Sequence, residues 1–355
     1  MKYLLLCCFA AFMLGHTPLP LASSQDANDS LRYEGEVHLK NITQLTFGGD
    51  NAEAYYSFDS KKLVFQATNP AWGDACDQIY TATIDQFKPV KISTGDGRTT
   101  CSYFLPDGQH VLYASTHLGD KQCPPKPAPR SDHKYVWPLY PTFDIFTCDL
   151  NGNVVGQLTN NPGYDAEATV SPKGDKIVFT STRSGDLELY TMDLDGKNVK
   201  QITNELGYDG GAFFSPDGKQ LVFRASRPKT EEEIKTYRDL LKQDLVMPSN
   251  MEIYTCNVDG SDLKKITNLG HANWAPFFSP DQQKIIFSSN HKSGGYQFNL
   301  YAIDIDGSNL EQITFDKTFD AFPVFSPDGK KLVWSSNRNN KGTRDTNLFI
   351  ADWVD

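Results

Sequence analysis

Asp165 and Arg183, Asp209 and Arg227, and Asp320 and Arg338 stand at one fixed spacing, acid before base, in three separate stretches of this 355-residue chain. Carboxylate and guanidinium at a recurring spacing could form two-pronged ion pairs, or the carboxylates alone could ring a metal. The matching positions of three further stretches decide between these. There Asn51 goes with Asn69, Thr99 with His117 and Asn273 with His291, so acid and base are present together or absent together. That match points to pairing inside each stretch and removes these aspartates from an acidic metal ring. Two residues after the first member, Glu53 and Glu167 have no assigned base, which makes them better candidates for touching a ligand.

The elements that position these residues come from a repeat. Ser326-Pro327-Asp328-Gly329 opens a stretch with earlier counterparts at Ser57, Leu105, Ser171, Ser215 and Ser279, six in all. Each turn leads into a β-branched or aromatic run such as Leu221-Val222-Phe223 or Leu332-Val333-Trp334, which reads as a buried strand. A further strand follows at Ile79-Tyr80-Thr81, Leu189-Tyr190-Thr191 and their equivalents. Asn151-Gly152, Asp195-Gly196, Asp259-Gly260 and Asp306-Gly307 then suit tight hairpins into a fourth strand ending in Gln201-Ile202-Thr203 or a close variant. Four strands per copy and six copies predict an all-β fold, a six-bladed β-propeller of four-stranded blades. The last copy reaches Asp355 after its third strand, and Asn41-Ile42-Thr43-Gln44-Leu45-Thr46 matches the missing fourth, so an N-terminal strand is expected to complete the last blade.

Long gaps between anchors mark insertions over residues 118–141, in blade 2, and 228–250, in blade 4. Both fall between second and third strands, and because strands alternate in direction, both are expected on one face of the disc, here the top. The first is proline-rich and carries Trp137 and Tyr140. The second reads as a helix, with Thr230 and Glu233 as a capping box and Ile234, Tyr237 and Leu241 on one side. It is either a packed stabilising element or a lid or docking element. The top-face candidates for binding are therefore Glu53, Glu167, His117, His271, His291, Trp137, Tyr140, Tyr237 and Trp274.

His117 and His291 fall three blades apart, too far to share a metal; His271 and His133 occupy top-face loops, which leaves an adjacent His271 and His291 pair as an alternative. Cys148 and Cys256 share a third-strand position and read as buried thiols. Cys76, Cys101 and Cys123 map to top-face loops of blades 1 and 2, and a disulfide is expected between two of them, with Cys76 to Cys101 preferred; paired spacing for zinc is lacking. Catalytic signatures are missing: no Gly-x-Ser-x-Gly, no Walker-type phosphate loop and no His-Glu-x-x-His. No cofactor and no metal is read from these residues.

Residues 1–24 read as a secretory signal peptide and 25–37 as a flexible leader, with the propeller over 38–355. The apolar run near the start is too short for a transmembrane segment. With 44 acidic against 34 basic residues and a net charge of −10, nucleic acid is not the expected partner. A monomer, exported to the periplasm or the extracellular space, is expected.

The stretch Tyr208-Asp209 with Phe213-Phe214-Ser215-Pro216-Asp217-Gly218-Lys219-Gln220-Leu221-Val222-Phe223, followed by Glu252-Ile253-Tyr254 and Asp259-Gly260, resembles the propeller repeat of TolB-like proteins. The resemblance covers residues 38–355 and implies a stand-alone propeller without the N-terminal α/β domain of TolB. It implies a binding or scaffold module of the cell envelope, with an envelope protein or a peptidoglycan-associated partner. Related propellers that act as pectin-fragment lyases supply the other reading, a carbohydrate-active enzyme with a top-face metal or histidine site.

Overall fold

Each Ser-Pro-Asp-Gly turn is closed by its own serine. Ser215 Oγ donates to Asp217 Oδ1 at 2.7 Å and accepts from the Gln220 amide at 2.9 Å; Ser326 repeats the pattern with Asp328 and the Lys331 amide. The fourth residue is left-handed, with φ 67° at Gly218 and 73° at Gly329, a region that only glycine enters without steric cost.

The computed structural model describes residues 30–128, 130 and 134–355. Six four-stranded antiparallel sheets form the blades. Blade 1 runs through Asp50–Tyr56, Lys62–Thr68, Gln78–Thr83 and Val90–Lys91; blade 3 through Asp165–Val170, Lys176–Ser181, Glu188–Asp193 and Lys200–Gln201. Blade 4 uses Asp209–Phe214, Gln220–Ser226, Met251–Asn257 and Lys264–Lys265. Blade 6 is completed by the strand Leu39–Gln44, which pairs with Asn347–Trp353 from the other end of the chain, as the sequence predicts.

Repeated side chains explain the repeated motifs. The second-strand aromatic packs against the third-strand aromatic in every blade, stacked for Phe65 and Tyr80 at 5.9 Å and tilted for Trp334 and Phe349 at 5.9 Å. The fourth-strand threonine accepts from a third-strand amide: Thr203 Oγ1 from Leu189 at 2.9 Å and Thr46 Oγ1 from Leu348 at 2.8 Å. Losing one such buried aromatic costs about 3–5 kcal/mol.

The inner strands do not alternate simply. Every one carries a bulge, and the bulged residues Glu53, Cys101, Glu167, Gly211, Ala275 and Phe322 all have φ between 47° and 60°. A left-handed residue inside a strand re-aims its side chain, and these six residues together line a narrow space at the centre of the ring.

The helix, α1, spans Glu231–Leu241 and has the capping box of Thr230 with Glu233. It is shorter than the expected 228–250 because Leu245–Val246 leaves the helical path and pairs with Trp137–Pro138 of the blade 2 insertion. The two insertions are thus joined into one canopy. Tyr237 and Leu240 of α1, Val246, Leu139 of the other insertion and Phe143 just after it share a core with Tyr164 and Tyr208. Residues 31–37, expected to belong to a leader, lie against blade 6, where Glu36 is buried beside Arg338.

Candidate functional site

Under the canopy lies a cavity of about 570 Å³ on the top face. Its lining combines members of the axial ring, Glu53, Cys101, Glu167 and Phe322, with Trp137, Tyr140, Tyr164, Tyr208, Arg224 and Trp274. The opposite mouth of the ring is a smaller apolar hollow of about 190 Å³ lined by prolines and aromatics of the turns, among them Phe58, Pro216 and Phe277.

Arg224 organises the floor. It comes from the second strand of blade 4, where other blades carry Gln66, Ala114, Thr180, Ser288 and Ser335. Its guanidinium pairs with Glu167 and donates to Tyr208 Oη at 2.7 Å. The same guanidinium lies 5.3 Å from the Trp137 ring centre and 5.4 Å from that of Tyr208, distances at which a ring face attracts a cation. Gly211 makes room, since a Cβ there would collide with the guanidinium. Burial is the largest influence on Arg224 and disfavours its charge, but Glu167, Tyr208, Glu53 and Cys101 together outweigh it and raise its pKa.

The two ring carboxylates are treated differently. Glu167 accepts from Tyr208 Oη at 2.7 Å, Thr180 Oγ1 at 2.7 Å and the Gly211 amide at 3.0 Å, besides Arg224. Glu53 receives Tyr55 Oη at a longer 3.3 Å and faces the Cys101 thiol. Burial raises the Glu53 carboxyl above its usual range, and burial together with Glu53 and Glu167 holds the Cys101 thiol well above its own.

The walls are fixed in place. Trp137 packs on Trp274 at 5.3 Å, and Trp274 Nε1 donates to the Pro248 carbonyl at 2.9 Å. Tyr140 Oη donates to the Pro125 carbonyl at 3.0 Å. A disulfide ties the blade 2 insertion to blade 1, and it joins Cys76 to Cys123, with Cα atoms 5.9 Å apart. This corrects the expected Cys76 to Cys101 pairing: Cys101 is no loop residue but the bulged member of an inner strand, aimed at the axis and free. Cys148 and Cys256 are buried thiols.

Other sequence candidates lie elsewhere. Arg183 Nη2 reaches Asp165 at 2.9 Å, Arg227 Nη2 reaches Asp209 at 2.7 Å, and Arg338 Nη2 reaches Asp320 at 3.1 Å and Glu36 at 3.0 Å. Each guanidinium also covers a third-strand ring or its partner, as Arg227 covers Tyr254 at 5.1 Å. His117 and His291 fill the same slot in their blades, over Phe146 at 4.3 Å and Tyr301 at 4.6 Å, each bonded to a serine hydroxyl. Burial lowers both imidazole pKa values and keeps them neutral at pH 7. His271 is exposed, and His133 lies outside the described residues. Among the described residues no three His, Cys, Asp or Glu side chains converge on a metal position. Tyr237 is buried and donates to Asp186, anchoring α1 to blade 3.

Sequence reasoning missed Arg224, Tyr208 and Tyr164, and did not place Cys101 on the ring. The available signal was a single charged residue, Arg224, inside an otherwise apolar second strand.

The model of the TolB beta propeller domain matches residues 141–239 and 246–345, more than half of the chain. This chain belongs to the TolB beta propeller family. Among solved structures, this TolB-family propeller is similar to TolB from Acinetobacter baumannii, at 22% identity and a TM-score of 0.57, covering 84% of this chain and 65% of that one. It is also similar to a protein described as TolB from Agrobacterium tumefaciens, at 20% identity and a TM-score of 0.54, over 86% of this chain and 91% of that one. A gluconolactonase from Xanthomonas campestris shares the fold at 13% identity and a TM-score of 0.56, over 89% and 91% of the two chains. At such identities the likeness is one of fold. No curated protein sequence matches this TolB-family chain. None of its described helices is long and apolar enough to cross a membrane.

Proposed function

We propose that this TolB-family propeller is an exported binding module of the cell envelope that holds an extended protein segment in its top-face cavity. The observation that carries the reading is the canopy: two insertions far apart in sequence pair through Trp137–Pro138 and Leu245–Val246 and wall an aromatic cavity of about 570 Å³ over the axial ring. Concave, largely apolar sites with a few convergent polar groups are where ligands bind. Rigid aromatic anchors such as Trp137 and Trp274 are the residue types that dominate protein recognition.

Site-specific photo-cross-linking in the producing cell tests this. A photoreactive phenylalanine at Tyr135, exposed on the cavity lining, should capture an envelope protein, whereas the same group at Phe58 in the opposite mouth should not. Capture from Phe58 alone would place binding on the other face and overturn the reading. Turnover of an acidic oligosaccharide with no cross-link from Tyr135 would favour the carbohydrate-active alternative instead.

A further inference from the structure

The floor of the cavity carries Glu53, Glu167 and one guanidinium, Arg224. Arg224 is spent on Glu167, which has three further donors within 3.0 Å. Glu53 has a hydroxyl at 3.3 Å and a neutral thiol and feels Arg224 only through space, so one ring carboxylate is left without an ion-pair contact among the described residues. Other basic side chains line the cavity, but Arg98 is ion-paired with Asp77, and Lys126, Arg130 and Lys134 belong to the insertion and not to the ring. The wall already shows what it accepts: Trp137 and Tyr208 hold the protein's own guanidinium against their rings. An aromatic wall beside an uncompensated carboxylate recognises a cation, because ring faces and the carboxylate attract the same charge.

We propose that an organic cation, a primary ammonium or a guanidinium, seats in the cavity with its charge against Glu53. The inference rests on the reading above for the identity of the carrier, a lysine or arginine side chain of a bound protein segment, but not for the charge preference. Around Glu53 stand Tyr55, Cys101, Glu167 and Arg224. Of these Arg224 repels an incoming cation, and Glu167 cancels most of that repulsion. Burial raises the Glu53 carboxyl, so a bound cation draws its proton away and affinity rises with pH.

Calorimetric titration of the folded protein tests this with acetylated, amidated Ala-Lys-Ala, Ala-Arg-Ala and Ala-Gln-Ala peptides, and with n-butylammonium as the free cation. The two charged peptides should bind at least tenfold more tightly than the glutamine peptide. That advantage should vanish in Glu53→Gln and persist in Glu53→Asp. In the unsubstituted protein, which removes any doubt over folding, affinity for the lysine peptide should rise with pH while that for the glutamine peptide stays flat. Binding of n-butylammonium as tight as the lysine peptide would identify a small free amine as the source; much weaker binding would identify a peptide. Equal affinity for lysine and glutamine peptides, or an advantage unchanged in Glu53→Gln, overturns the inference while leaving a Tyr135 cross-link standing. Failure of every charged probe to bind overturns it as well.

Discussion

Replacing Arg338 with methionine tests how much of this fold rests on one buried charge. The Arg338 side chain is 1% exposed and those of Glu36 and Asp320 are 0% exposed, so all three are out of water. Its guanidinium also covers Trp334 at 5.1 Å, and methionine keeps part of that packing. What it cannot keep is the neutralisation, and removing one member of a buried ion pair costs about 3–5 kcal/mol because the partner charge stays behind. That is a large part of the roughly 5–15 kcal/mol by which domains are stable. With a slope near 3 kcal/mol per molar, the urea midpoint should fall by about 1–2 M. The same change at Arg183, 18% exposed, should cost less because water screens what is left. The loss should also depend on pH. Burial already raises the Glu36 carboxyl above its ordinary range against the opposition of Arg338 and the Tyr33 amide, so removing Arg338 takes away the larger opposing influence and raises it further. A carboxyl raised in the folded state stabilises below its unfolded pKa and loses that contribution as pH rises, so Arg338→Met should be hurt more at pH 8 than at pH 5. A loss below about 1 kcal/mol, equal at both pH values, would refute the burial argument, since buried pairs do not come that cheaply.

Three further outcomes are expected. Burial raises the Glu188 carboxyl to about 8 and that of Asp209 to about 6. Stability should therefore fall as pH rises from about 4.5 through 8, and Glu188→Gln should flatten the urea midpoint across that window; an unchanged slope would count against a raised Glu188. Cys123→Ser opens a crosslink spanning a sequence separation of 47, for which the chain-entropy relation gives a loss of about 4 kcal/mol, measurable as a midpoint shift that reductant reproduces in the unsubstituted protein. Gly211→Ala forces a side chain into left-handed backbone and into Arg224 and should cost at least about 1–2 kcal/mol, whereas Ala275→Gly at the equivalent ring position should be neutral or stabilising; equal losses would mean that the bulges are not left-handed in solution.

The blades were legible because their signals are local and repeated. A turn serine, a glycine at positive φ, a pair of packed aromatics and a fourth-strand threonine each have a residue type that the geometry favours. The ring was not legible for the opposite reason. Its bulges recur in every inner strand, but Glu, Cys, Gly, Ala and Phe all occupy them, so no shared letter marks the position. Glu53 and Glu167 stand out in the sequence as acids with no base at the repeat spacing, yet Glu167 takes its base, Arg224, from the neighbouring blade; the Asp and Arg pairs are legible from their joint presence. Arg224 directly follows the apolar run Leu221-Val222-Phe223 with no spacing that marks it, and Cys101 lies in the strand Thr99–Phe104 where nothing in the sequence separates strand from preceding loop. The pairing of Trp137–Pro138 with Leu245–Val246 joins segments about a hundred residues apart, and two-residue strands carry no periodicity to read.

The pairing of Leu39–Gln44 with Asn347–Trp353 also sets an order of events in time. During synthesis the first strand of the disc emerges early and has no partner until almost the whole chain has followed. Five blades can form from neighbours in sequence, each a short-range meander, while the sixth waits for the slowest and most distant contact. Throughout that interval the nascent protein exposes an unpaired strand at one edge and an unfinished sheet at the other, the state in which a chaperone has most to protect and a neighbouring nascent chain has most to bind.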